Sequence, residues 1–124
     1  MREAISTKSA PQAIGPYSQA IKANGFIFCS GQTPMGPDGV VVAEGIQEQT
    51  EQALKNLAAV LKAAGSGLEK AVRCGVFLKN MADFAQMNEV YGRHFTAPFP
   101  ARTTVEAARL PKDVLVEIDV IALE

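Results

Sequence analysis

The segment Leu115-Val116-Glu117-Ile118-Asp119-Val120-Ile121-Ala122-Leu123 is apolar on both parities of an extended chain. Val116, Ile118, Val120 and Ala122 fall on one face of a strand and Leu115, Ile121 and Leu123 on the other, because successive side chains alternate across a sheet. A sheet built around such a strand needs cover on both sides. Only two segments of the chain carry helical periodicity, enough to cover one face. A partner subunit is the economical cover for the second, and a closed ring of such sheets satisfies every copy equally.

The two helical segments are well marked. Ile46, Thr50, Ala53, Leu54, Leu57, Val60, Leu61 and Ala64 recur at helical spacing before Gly65 and Gly67 end the run. Asp83-Phe84-Ala85-Gln86 has the spacing of a capping box, and Phe84, Met87, Tyr91 and Phe95 continue an apolar stripe to about Thr96, where Pro98 prevents extension. Strand signals surround them. They fall at Ala4–Ser6, at Ser18–Lys22 and Phe26–Ser30 joined by Asn24-Gly25, and at Val40–Val42 after a turn over Pro34–Gly39. Val72–Leu78, Thr103–Ala108 and Val114–Leu123 complete the set, the last two connected through Leu110-Pro111-Lys112-Asp113. The order ββ(β)αβαββ predicts one α+β domain over residues 1–124, with both helices on one face of the sheet.

Composition removes several function classes. With 124 residues and 48% hydrophobic content, the chain can fill one real core. A net charge of -1, with basic residues scattered among acidic ones, gives no phosphate-tracking surface, so nucleic acid is not expected as the main ligand. Cys29 and Cys74 are too few for a disulfide framework, the start lacks the apolar run of a signal peptide, and no segment could span a bilayer. The expectation is a cytoplasmic protein with two reduced thiols. One histidine and two separated cysteines form no recognisable metal-ligand set, and the glycines of Ser30–Gly36 match neither a phosphate loop nor a dinucleotide fingerprint. No metal or cofactor is expected.

Two charged residues stand out against this background. Arg102 follows the stiff Pro98-Phe99-Pro100 turn and opens a strand, so its guanidinium is aimed rather than loose. Glu117 interrupts the apolar C-terminal strand, where an unpaired carboxylate is costly to bury. It either forms a structural salt bridge, with Arg109 or Lys22, or does chemistry. An arginine can hold a small carboxylate through a charge-assisted fork, and a glutamate can orient or deprotonate a water molecule. If Lys112 centres a hairpin turn, Glu117 faces about Ala107, five residues from Arg102 along the strand and roughly 17 Å away. Either a bulge changes that register or the two residues meet across a subunit boundary, and the doubly apolar strand favours the second. His94, the only histidine, sits near a helix end where dipole stabilisation or packing accounts for it. Cys29 points away from the Ser30 side chain by strand parity and reads as a buried structural thiol.

Taken together, Ile14-Gly15-Pro16-Tyr17-Ser18-Gln19-Ala20, Ser30-Gly31-Gln32, Gln52-Ala53-Leu54-Lys55-Asn56-Leu57, Asn88-Glu89-Val90-Tyr91, Pro100-Ala101-Arg102 and Glu117-Ile118 resemble the RidA family, also called YjgF-like, over essentially the whole chain. The resemblance implies a chorismate-mutase-like fold, assembled as a homotrimer whose sheets form a central barrel, with ligand clefts between subunits. It also implies a cofactor-free 2-iminobutanoate/2-iminopropanoate deaminase that acts on reactive products of pyridoxal-phosphate-dependent serine or threonine dehydratases. Carried onto this sequence, Arg102 would bind the substrate carboxylate and Glu117 would handle water and protons. Ser30, Gly31 and Thr104 would complete the anion shell, Tyr17 would close one wall, and Asn88 would stand at the rim. Many relatives carry a cysteine two residues after the arginine, where this chain has Thr104, so a covalent thiol mechanism at that position is excluded. The main alternative is a noncatalytic protein that binds 2-keto acids or related metabolites, which would need Arg102 but tolerate Glu117→Gln; some members of the family are described as ribonucleases or translation inhibitors, for which this chain offers neither a basic groove nor a histidine pair.

Overall fold

The computed structural model describes residues 1–124. Its strands are β1 (Glu3–Ile5), β2 (Ala20–Ala23), β3 (Phe26–Gln32), β4 (Ala71–Leu78), β5 (Ala101–Glu106) and β6 (Val116–Leu123); its helices are α1 (Ile46–Ala63) and α2 (Phe84–His94). The strands form one mixed sheet in the order β1-β2-β3-β6-β4-β5. Strand β6 runs antiparallel to both β3 and β4, and β4 is parallel to β5. The α1 crossover therefore joins two parallel strands split by β6, and α2 joins β4 to its parallel neighbour β5.

Local chemistry explains most element ends. Asn24 (φ 52°) and Gly25 (φ 81°) supply the two left-handed positions of the β2–β3 turn. At the end of α1, Gly65 adopts φ 83°, its N–H bonds the Lys62 carbonyl, and the Ser66 N–H bonds the Leu61 carbonyl, so the last turn closes as a Schellman motif. Ala53, Leu54, Leu57, Val60 and Leu61 of α1 are fully buried against the sheet, where they meet Ile27, Val76, Leu78, Val116 and Ile118. Buried polar side chains fasten the surrounding loops. Asn56 Nδ2 donates to the carbonyls of Thr33 (3.1 Å) and Met35 (2.7 Å), and Gln49 accepts from the Leu115 N–H at 2.8 Å.

Some local expectations need correction. Asp83 caps nothing with its side chain; Asn80 accepts from the Ala82 N–H at 2.9 Å and starts a 3-10 turn, Met81–Asp83, that leads into α2. Helix α2 closes at His94, and residues 40–42 form a closed loop with a single Met35–Val41 bridge rather than a strand. Strand β2 begins at Ala20, because Gln19 is tied by side-chain bonds to Thr7 and Pro11 and the Ser18 carbonyl is taken by Ser30. The larger correction concerns the end of the chain. Strands β5 and β6 do not pair: β4 lies between them, so Glu117 faces Phe77, not Ala107. The connection is too long for a tight hairpin, and its turn at Lys112 and Asp113, both at positive φ, carries the chain over the end of β4.

Both helices cover one face, and the other is open. On that open face stand Ile21, Phe26, Phe28, Ile121 and Leu123, with Phe28 45% and Leu123 44% exposed and the Phe26 and Phe28 rings 6.2 Å apart. The doubly apolar pattern of β6 is thus used on one side only within the chain. No helix is long and apolar enough to cross a membrane.

Candidate functional site

The open face turns polar at the N-terminal half of β6. Between the pairs Cys29–Val120 and Gln32–Ile118, two residues of β3, Ser30 and Gly31, oppose the single residue Asp119, which makes a β-bulge. The Glu117 carboxylate lies over this bulge. A Cβ on Gly31 would fall on Glu117 Oε2 and come within 3.0 Å of its Cδ, so the carboxylate rests where only glycine leaves room. The adjoining cleft, about 690 Å³, is bounded by Tyr17, Ser30, Gly31, Met35, Lys112 and Glu117. Ser30 Oγ donates to the Ser18 carbonyl at 2.6 Å, which fixes the N-terminal loop beside the bulge, and the Tyr17 ring stands 53% exposed at the wall. Burial, followed by the negative charge of Asp119, pushes the Glu117 carboxyl above its ordinary value. No salt bridge opposes this. Lys22 pairs with Glu124 instead, and Arg109 makes no ion pair within the chain, so neither forms the structural salt bridge that the sequence allowed.

Arg102 belongs to the other face. In the parallel β4–β5 register it stands beside Cys74, whose side chain is buried under the helices, whereas Glu117 stands beside Phe77, three residues along β4 and of opposite parity. The Arg102 guanidinium carbon lies 4.7 Å from the centroid of the Tyr91 ring and 5.6 Å from that of Phe84, both on α2, and Tyr91 is backed by Phe95 at 4.5 Å. These contacts orient the cation without neutralising it. Arg102 forms no salt bridge. Its groove is lined by Asn88, Tyr91, Phe99 and Pro100. Asn88 Oδ1 and Thr104 Oγ1 are buried with no hydrogen-bond partner in the chain.

The residues singled out in the sequence therefore fall into two groups. Tyr17, Ser30, Gly31 and Glu117 line one cleft, and Arg102 and Asn88 line a groove across the sheet, with Thr104 on the same β5 face. A single small molecule cannot touch Arg102 and Glu117 of the same chain. Strand parity, rather than the 17 Å register estimate, is the reason. Sequence reasoning missed Tyr91 and Phe84 as the aromatic supports of Arg102, because their spacing also satisfies an ordinary helix stripe.

Other chemistries find less to work with. No group of three or more His, Cys, Asp or Glu side chains is placed to hold a metal ion. Cys29 and Cys74 flank Val120 from opposite neighbouring strands, two strand spacings or roughly 10 Å apart, too far for a disulfide. Burial pushes the Cys29 thiol up to about 12 and raises Cys74 as well, so both stay protonated and unreactive. His94 Nε2 bonds Glu51 at 2.8 Å, linking α2 to α1.

The geometry makes Gly31 a sensitive position. Gly31→Ala displaces the Glu117 carboxylate while leaving the Arg102 groove intact. The expected outcome is a shifted Glu117 titration with the Arg102 groove unchanged, checked by carbon-13 NMR of the Glu117 carboxyl and by chemical shifts around Arg102.

Residues 7–124 match the family model described as endoribonuclease L-PSP. The chain is 53% identical to a RutC family protein of Pyrococcus horikoshii over 98% of each chain. It is 46% identical to the chloroplastic Reactive Intermediate Deaminase A of Arabidopsis thaliana, covering 98% of this chain and 65% of that one. Among solved structures, a Yersinia pestis member of the conserved Rid protein family superposes with a TM-score of 0.97 at 48% identity over the full length of both chains.

Proposed function

Because the chain belongs to the endoribonuclease L-PSP family, the RidA or YjgF-like proteins, we propose that it hydrolyses short 2-imino acids and their enamine tautomers, such as 2-aminoacrylate and 2-aminocrotonate, to 2-keto acids and ammonia. The observation that carries this reading is the pairing of chemistries on the two faces: an oriented, unneutralised guanidinium at Arg102 and a proton-hungry carboxylate at Glu117. Arg102 takes the substrate carboxylate, with Thr104 and Asn88 beside it. Water adds to the protonated imine carbon while Glu117 accepts its proton, giving a tetrahedral amino alcohol. Glu117 then returns that proton to the nitrogen and, ionised again, takes the hydroxyl proton as ammonia leaves and the keto group forms; the ammonia carries that last proton away as ammonium. One protonated imine and one water become one keto acid and one ammonium ion, with no cofactor.

The opposite orientation of Arg102 and Glu117 asks for two subunits per site. The open apolar face around Phe26, Phe28 and Leu123 is suited to contact with another copy, and three sheets closing into a barrel would bring a β5 edge to a neighbour's Glu117 cleft. Tyr17, Ser30 and Gly31 then come with Glu117 from one subunit and Arg102, Thr104 and Asn88 from the next. Such an enzyme works downstream of the pyridoxal-phosphate-dependent dehydratases that release enamines, in the cytoplasm.

A noncatalytic 2-keto-acid-binding protein would need Arg102 alone. An RNA-cleaving role finds less support, because the sole histidine is engaged with Glu51 on the helix layer, outside both clefts. The test is ammonia and keto-acid release from freshly generated 2-aminoacrylate and 2-aminocrotonate. Acceleration above spontaneous hydrolysis is the expected result; keto-acid binding without acceleration on any imine would establish the binding protein instead.

A further inference from the structure

Strand β6 carries a second carboxylate on the open face, two residues beyond Glu117. Asp119 leans toward β4 as Glu117 leans toward β3, and it too lies over a glycine: a Cβ on Gly75 would come within 2.6 Å of Asp119 Oδ1 and 3.2 Å of its Cγ. The Gly75 N–H donates to Asp119 Oδ1 at 2.8 Å, and Gly75 itself is buried. Asp119 forms no salt bridge; Arg73, on the same face of β4 two residues before Gly75, donates to Thr103 Oγ1 at 3.2 Å instead. Its charge is therefore held in one place by a charge-assisted backbone bond, on the same face as Glu117.

We propose that Asp119 is a positioning residue for the deamination: pinned by the Gly75 amide, its fixed negative charge makes Glu117 the stronger proton acceptor and favours the cationic, protonated imine in the cleft. This rests on the role of Glu117 proposed above. The raised carboxyl of Glu117, for which burial is the first cause and Asp119 the second, agrees with it. The other groups around Glu117 are Tyr17 from the N-terminal loop and Lys112 from the connection before β6; Ser30 and Gly31 on β3 and Phe77 on β4 are uncharged. In the assembled cleft the neighbouring copy's Arg102 is occupied by the substrate carboxylate. Asp119 is thus the one negative charge of this chain set beside Glu117 on its strand face.

Asp119→Asn separates charge from structure, because the amide oxygen can still accept from Gly75. The rate depends on ionised Glu117, so it falls as pH drops through the Glu117 titration. Removing the neighbouring charge lets that proton go more easily and moves this acid limb to lower pH. The expected result is a kcat/KM at the foot of the limb, relative to the plateau, that rises roughly threefold or more, with a plateau kcat reduced by a similar factor. An unshifted limb in a folded Asp119→Asn protein overturns the proposal, as does loss of thermal stability as the only effect. Should Asp119→Asn fold poorly, Asp119→Ser keeps an acceptor for Gly75, and the Glu117 carboxyl can be titrated directly by its carbon-13 resonance. The controls separate the two claims. If Glu117→Gln keeps full acceleration, the role of Glu117 itself fails and the proposal with it; if Glu117→Gln is inactive while the Asp119→Asn limb stays in place, only the role of Asp119 is lost.

Discussion

Replacement of Glu117 by Gln is expected to lower kcat for imine hydrolysis by roughly 10²- to 10⁴-fold, the usual worth of a positioned general acid–base, with KM nearly unchanged because Arg102 still binds the carboxylate. The same substitution should leave the fold as stable as before, or more so, at pH 8. Burial raises the Glu117 carboxyl above its unfolded value, so folding favours the protonated form. The stability this gives is fully present below the unfolded pKa and is lost as pH rises through the folded one. At pH 8 the ionised side chain is therefore a liability that Gln removes, whereas near pH 3 the two proteins should melt alike. Thermal melts at both pH values, beside steady-state kinetics, check this. A large drop in melting temperature at pH 8 together with lost activity would mean that Glu117 is a structural residue.

Mixing two dead proteins should restore activity. Arg102→Ala removes the carboxylate fork and is expected to cost roughly two orders of magnitude in kcat/KM, the scale of a lost charge-assisted bidentate contact. Glu117→Gln removes the proton acceptor. If each site draws Arg102 from one subunit and Glu117 from its neighbour, equal amounts of the two variants, unfolded and reassembled together, regenerate sites with both residues intact. Random assembly gives half times half, or about one quarter of wild-type activity. A site contained in one chain would recover nothing. The restored activity should follow the proportion of mixed oligomers, measured by native mass spectrometry of chains with different tags.

The features that were legible in the sequence are those fixed by neighbours along the chain. Helix α1 follows from the spacing of Ala53, Leu54, Leu57 and Leu61, and the β2–β3 turn from Asn24-Gly25, since both are set by interactions over a few residues. The pairing of β6 was not legible, because insertion between β3 and β4 leaves no mark near β6 itself; adjacency in sequence suggested β5, and the register estimate failed with it. The demand for cover on both faces was nonetheless readable from Ile121 and Leu123, which lie half-buried and exposed on the uncovered face of the chain. Arg102 and Glu117 stood out as charges in apolar or rigid surroundings. Their division between opposite faces appears only when both are referred to β4, through Cys74 and Phe77. Gly31 and Gly75, as the seats of Glu117 and Asp119, depend on side-chain lean, for which one-dimensional spacing has no signal.

Arg102 sits on the edge strand β5, in a groove walled by α2 and the turn that follows it, while Glu117 sits on the interior strand β6 and is cradled by a bulge. With the roles proposed for Arg102 and Glu117, what is admitted and what is done to it are encoded in separate stretches of the gene, and mutations between Phe84 and Pro100 would retune selectivity while leaving Glu117 and its bulge as they are.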